Sequence, residues 1–121
     1  LFSHAGIAER WVKGREDIVS GLKGFRPERL NEMLHGKETE RERLFLALGD
    51  ISPARGGHSE VGSPVWADVN EYLDGENLID GYIHIFGHTF NMDGPVNAGR
   101  RGLCLDCARA FRLDSGILRA K

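Results

Sequence analysis

The chain has 121 residues, enough for one domain and too few for two independent ones. It carries 16 lysines and arginines against 18 aspartates and glutamates, a formal net charge of −2, so the protein as a whole offers no positive field to a nucleic acid or a membrane surface. Hydrophobic residues make up 40% and charged residues 28%, the balance of a folded globular chain, and no apolar run approaches the ~20 residues that span a bilayer.

Residues 1–7 read as a short strand that ends in a glycine turn. Ala8, Trp11, Val12, Ile18, Val19 and Leu22 then fall close to helical spacing, with Gly14 as an interruption. Pro27 suits the first position of a second helix whose apolar face is Leu30, Met33 and Leu34. Thr39-Glu40-Arg41-Glu42 has the capping-box pattern and leads into Leu44, Phe45 and Leu48, with Gly49 as the stop. Residues 50–63 are loop by composition, residues 64–73 a helix or an irregular segment, and Asp74-Gly75-Glu76-Asn77 a turn.

The character then changes. Tyr82-Ile83-His84-Ile85-Phe86 is aromatic and β-branched, a strand running into Gly87-His88-Thr89. A glycine-rich loop is expected over residues 91–102, followed by a strand at Leu103-Cys104-Leu105. Residues 108–113 pair with 117–120 through the turn Asp114-Ser115-Gly116. A strand, then helices, then three or four strands predict an α/β or α+β domain with its helices grouped in the first half. The strands near residues 82–87, 103–107, 109–113 and 117–120 are expected in one sheet, with strand 1–4 ending close by.

Two histidines end strands beside glycine, in Ser3-His4-Ala5-Gly6 and Phe86-Gly87-His88-Thr89. A strand end followed by a small residue sets a side chain at the rim of a sheet with room for a ligand, and neutral imidazole is the commonest protein metal ligand. The other histidines read more plainly. His84 alternates with Tyr82 and Phe86 in mid-strand and is a packed, hydrogen-bonded side chain; His35 complements a helix C-terminus. His58, in Arg55-Gly56-Gly57-His58, is either solvent-exposed or part of a cover over a site. Cys104-Leu105-Asp106-Cys107 is a single CxxC with no second pair, a weak signal for zinc or redox chemistry. Two cysteines build no disulfide framework and suit a reduced, cytoplasmic compartment.

The charge is uneven: residues 1–99 hold 10 basic and 16 acidic groups, residues 100–121 hold 6 and 2. A nucleic-acid role for that basic end has little support, because Phe111 is its only aromatic residue. No specific nucleic acid or membrane is expected as a partner.

Taken together, these motifs resemble the C-terminal half of the calcineurin-like metallophosphoesterases, in particular their bacterial and phage Ser/Thr protein phosphatase branch. Phe2-Ser3-His4-Ala5-Gly6-Ile7 is similar to the family's His-Ala-Gly or His-Gly-Gly strand, Pro64-Val65-Trp66-Ala67-Asp68 to its Trp segment, and residues 83–89 to its Gly-His-Thr strand. Leu103-Cys104-Leu105-Asp106-Cys107-Ala108 is similar to its closing strands. The resemblance implies an α+β fold, part of a β-sandwich flanked by helices in αββα layers, with residues 14–60 as a helical insertion or cap. It implies hydrolysis of phosphate monoesters by a water that two divalent ions activate, with Mn as the native ions, or Fe, Zn or Mg. His4 and His88 would be ligands of the second ion. The substrate would be a phosphorylated protein, small molecule or nucleotide.

The family's Asp-x-His, Gly-Asp-x-x-Asp and Gly-Asn-His motifs, which hold the first ion, the bridging carboxylate and the catalytic histidine, are not in the sequence. Gly49-Asp50-Ile51-Ser52-Pro53 does not replace them, since Pro53 stands where Asp is needed. The catalytic residues are therefore expected upstream of Leu1, in a longer protein of which this chain carries half the site. Asp68 and Asn70 stand where some members carry a phosphate-gripping arginine. Arg55, Arg100 and Arg101, with His58 beside the first, are the candidate substrate contacts. The alternative is a non-catalytic regulatory or interaction module on the same strands.

Overall fold

The computed structural model describes the chain apart from residues 16, 17, 19–24, 75, 115, 116 and 121, and of residues 117–120 only the backbone. It is a small α+β protein in which three α-helices precede a mixed sheet among the described residues. Helix α1 spans Glu9–Lys13 and turns its Trp11 and Val12 inward; it ends at Gly14, the glycine that interrupts the apolar spacing. The expected continuation through Val19 and Leu22 lies outside the described residues, although Ile18 is buried in the core.

Helix α2 spans Glu28–Leu34 behind Pro27, and α3 spans Glu38–Leu48. The expected capping box at Thr39 does not form, because the N-cap lies two residues earlier, at an extended Lys37 with no side-chain cap, and α3 begins at Glu38. Only residues 35–37 separate the two helices, so the chain re-enters helix as soon as it reverses and Thr39 falls inside the first turn. There Glu38 and Glu40 complement the positive helix end. A capping box does form further on, where Asp68 caps the 3₁₀ turn Val69–Tyr72 and Glu71 reaches back to the Asp68 amide.

The sheet contains β1 (His84–Phe86), β2 (Val96–Ala98) and β3 (Gly102–Cys104) in the order β1-β3-β2. Strand β3 runs parallel to β1, pairing Ile85 with Leu103, and antiparallel to β2, pairing Asn97 with Leu103. Residues 1–4 extend the sheet on the free side of β1, also in parallel. The Leu1 N–H donates to Ile83 O (2.8 Å), Ile85 N–H to Leu1 O (2.8 Å), Ser3 N–H to Ile85 O (3.1 Å) and Gly87 N–H to His4 O (2.8 Å).

Two expectations are corrected here. The segment read as a glycine-rich loop contains β2, whose three residues are too few to display an alternation, and Gly99 at φ 63° closes its turn to β3. The strands near 109–113 and 117–120 do not join the main sheet. They form a separate antiparallel hairpin of β4 (Phe111–Asp114) and β5 (Ile117–Ala120), and the chain leaves the main sheet at Ala108, whose φ is 56°. Ser115 and Gly116 of the expected turn lie outside the described residues.

Trp11, Tyr72, Leu78, His84 and Cys104 are the largest fully buried side chains, and the Trp11 Nε1–H donates to Ala47 O (3.3 Å) and Asp50 Oδ2 (3.1 Å), tying the first helix to the end of α3. Gly6, at φ 85°, turns the chain off residues 1–4, and a Cβ there would lie 2.8 Å from the Tyr72 ring. Only glycine fits that turn and that contact together. His84 is the packed strand histidine expected: it is 0% exposed, and its Nε2 is 2.8 Å from Ile79 O. Burial, with the nearby Arg101 charge, moves its pKa below the usual imidazole value, while the bond to Ile79 pulls the other way.

The sign of the pH effect follows. Above about pH 6.5 the imidazole is neutral in folded and unfolded chains alike; below it the unfolded chain takes up the proton first, so stability falls with pH. His84→Ala is expected to cost about 1–3 kcal/mol at neutral pH, through the stranded Ile79 carbonyl and the space left behind. It should also make the loss of stability between about pH 7 and pH 5 shallower than in the wild type. Urea denaturation across that range measures both, and an unchanged acid slope would contradict the account.

Candidate functional site

The parallel pairing of residues 1–4 with 83–87 brings two strand ends to one rim of the sheet, and a histidine follows each. His4 Nε2 and His88 Nδ1 lie 2.9 Å apart, with ring centroids 4.7 Å apart and planes tilted by 54°. At that distance one ring donates a proton to the other. The Trp66 ring stands edge-on to His88 at 5.9 Å. His4 is exposed and His88 half-buried, and the buried His88 Nε2 has no hydrogen-bond partner.

His88 sits in left-handed backbone, at φ 71°. A side-chain-bearing residue costs on the order of 1–2 kcal/mol there, and its surroundings must hold it. Arg55 supplies part of that hold: one terminal nitrogen donates to His88 O (3.0 Å) and to Thr89 Oγ1 (3.0 Å). Its Nε lies 3.0 Å from Asp68 Oδ2 as an ion pair, with the N–H turned outside hydrogen-bond alignment. Thr89 Oγ1 also accepts from Val69 N–H (2.9 Å).

Behind Asp68, the Glu71 carboxylate accepts from Ser52 Oγ (2.9 Å), Gly62 N–H (2.8 Å) and Asp68 N–H (2.7 Å). The loop over residues 50–63, the 3₁₀ turn Val69–Tyr72 and the turn at Gly87-His88-Thr89 are thereby fastened to one another.

The structure gathers some of the sequence candidates and separates others. His4, His88 and Arg55 meet at one rim. His58, three residues beyond Arg55, is exposed. Arg100 and Arg101 lie at the other end of the sheet: Arg101 O accepts from His84 N–H (2.6 Å), at the start of β1, whereas His88 follows its end, and Arg101 pairs with Asp80. The candidate substrate contacts Arg100 and Arg101 are therefore not brought together with His88, because β1 and β3 are parallel and residues before β3 fall at the opposite edge.

Asp68 and Asp106 are the site residues that the sequence reading left without a role. Both carboxylates draw His88 toward protonation, yet burial, then Arg55 and His4, hold its pKa below the usual imidazole value. The spacing of Asp68 and Glu71 carried a readable signal for the first, the capping-box pattern. Asp106 follows β3 and had no such signal. Cys104 and Cys107 are both buried free thiols, and burial raises the Cys104 pKa, the opposite of an activated thiolate.

Two imidazole nitrogens about 3.0–3.4 Å apart are what adjacent ligands of one ion need when each bond is about 2.1 Å. The histidine pair is within reach of that geometry. Among the described residues, however, no group of three or more His, Cys, Asp or Glu side chains is arranged to hold a metal ion. Two ions a few ångströms apart need a shared anionic ligand, and the nearest buried carboxylate, Asp68, is engaged by Arg55. The residues present fit two ligands of a single ion and do not fit a metal pair.

The chain matches no protein-family model, no curated protein and no solved structure in comparisons with each. Among the described residues no helix is long and apolar enough to cross a membrane.

The electrostatic reading of the site is checked by following its histidine rings in an NMR pH titration. The His88 midpoint is expected below the ordinary imidazole value of about 6.5. A midpoint at or above that value would contradict the balance of burial and Arg55 over the two aspartates.

Proposed function

We propose that the intact protein is a metal-dependent phosphoesterase that hydrolyses phosphate monoesters of a protein, a small molecule or a nucleotide, and that this chain contributes part of its centre. The finer architecture belongs to the same proposal: part of an αββα sandwich of the calcineurin-like type, with residues 14–60 as a helical cap. The observation that carries the reading is the approach of His4 Nε2 to His88 Nδ1 at 2.9 Å across two parallel strand ends. The two residues are 84 positions apart, and each lies in a strand–His–small-residue context that resembles that family.

In this reading His4 and His88 serve as neutral ligands of one divalent ion, with Mn the first choice. Bound ions would polarise the phosphate and supply a hydroxide at neutral pH. The chain's own contribution is to fix the two imidazoles at one rim and to keep His88 neutral near pH 7, since a protonated ring cannot ligate.

The test is manganese-dependent hydrolysis of p-nitrophenyl phosphate. In the intact protein His88→Ala should lower turnover by several orders of magnitude, because a metal ligand is lost. The 121-residue chain alone should hydrolyse the ester no faster than buffer containing manganese. Activity that survives His88→Ala, or strong activity of this chain alone, would overturn the reading; no activity in the intact wild type would favour the interaction module.

A further inference from the structure

We infer that Arg55 is a positioning residue: it holds His88 in its left-handed turn so that the imidazole faces His4, and Asp68 anchors it from behind. As a statement about a metal centre this rests on the proposed function; as a statement about the histidine pair it does not.

The argument begins with the backbone of His88. At φ 71° the Cβ of an L-residue crowds its own carbonyl, and the residue stays there only if something outside it favours the conformation. The backbone dihedrals of His88 fix both where its carbonyl points and where its Cα–Cβ bond leaves the chain, and χ1 and χ2 then carry the ring to His4. A group that grips the carbonyl therefore holds the backbone from which the ring reaches its partner. Arg55 is that group, with its 3.0 Å bond to His88 O.

The bond is made by a side chain whose own place is fixed. The same nitrogen donates to Thr89 Oγ1 at 3.0 Å, and Nε is paired with Asp68 at 3.0 Å. Asp68 is in turn held, its Oδ1 accepting from Asn70 N–H (2.9 Å) and Asn70 Nδ2 (2.7 Å). The Asp68 side chain is 10% exposed and that of Arg55 28%, so the ion pair is screened less than a surface pair.

A planar guanidinium presents Nε and a terminal nitrogen along one rigid edge, which lets it face a carboxylate and a carbonyl at once. A lysine ammonium has the charge without that edge. The sequence reading gave Arg55 to the substrate; the geometry commits two of its three nitrogens to the protein.

The experiment uses the 121-residue chain and observes the ring N–H proton shared by His4 and His88 in ¹⁵N-edited NMR. The wild type should give a protected ring N–H resonance. In Arg55→Ala and Arg55→Lys that resonance should vanish through exchange at least tenfold faster, and in Asp68→Asn it should weaken. Leu78→Ala, a core variant beside Gly102 and Ala98 at the opposite end of the sheet, should lose stability and keep the resonance, which separates positioning from general destabilisation. If Arg55→Ala does not fold, Arg55→Lys decides alone. A resonance that survives Arg55→Lys, or that is lost equally in Leu78→Ala, would overturn the inference. A parallel zinc titration keeps the two ideas apart. A wild type that has the shared proton and binds no zinc overturns the metal reading, while loss of the proton in Arg55→Lys still supports the role of Arg55.

Discussion

Four backbone hydrogen bonds between residues 1–4 and 83–87 carry the architecture of the site. A parallel ladder aligns strand ends that point the same way, so residues far apart in sequence arrive at the same rim. Antiparallel pairing of the same two segments would send His4 toward the start of β1, beside Tyr82 and Ile83, and leave His88 alone. The glycine turn at Gly6 and the buried Tyr72 against it keep residues 1–4 straight up to His4 and then lead the chain away. Ala5, fully buried and bonded through its N–H to Pro64 O (2.8 Å), fixes the rim against the Trp66 segment.

What the ladder aligns, a second set of contacts orients. The loop over residues 50–63 has little regular structure, yet Glu71 binds three of its neighbours' donors and Arg55 crosses from it to the turn at His88. Glu71 and Asp68 each accept from two or more donors, which holds both carboxylates in place. The consequence is chemical as well as structural. Placing the Arg55 cation near His88 favours the neutral ring, the form that ligates.

The legible parts of this chain were those that local rules decide. Gly14 and Gly49 end helices as their positions predict, His35 lies at the C-terminal end of α2, and His84 is the buried strand histidine that its alternation indicates. The proximity of His4 and His88 was implied by the resemblance, which makes both ligands of one ion. What the sequence hid depends on pairing between distant segments. Strand β2 is three residues long and has no period to detect, and the β4–β5 hairpin forms apart from the main sheet, beyond a positive φ at Ala108 that no residue type there signals. Arg100 and Arg101 stand near His88 in number but not in space, because strand direction, which composition does not specify, puts them at the other edge. Asp68 was visible as a residue and its partner Arg55 as another; their pairing crosses a loop that no periodicity constrains.

The central claim is that His4 and His88 act as one ligand pair, distinct from the other three histidines. Paramagnetic broadening by Mn²⁺, read at each histidine ring in the NMR spectrum of this chain, tests it most directly. The account predicts that the His4 and His88 rings broaden together, at manganese concentrations that leave His35, His58 and His84 sharp. Broadening of the exposed His35 and His58 first, or of His4 without His88, would contradict it.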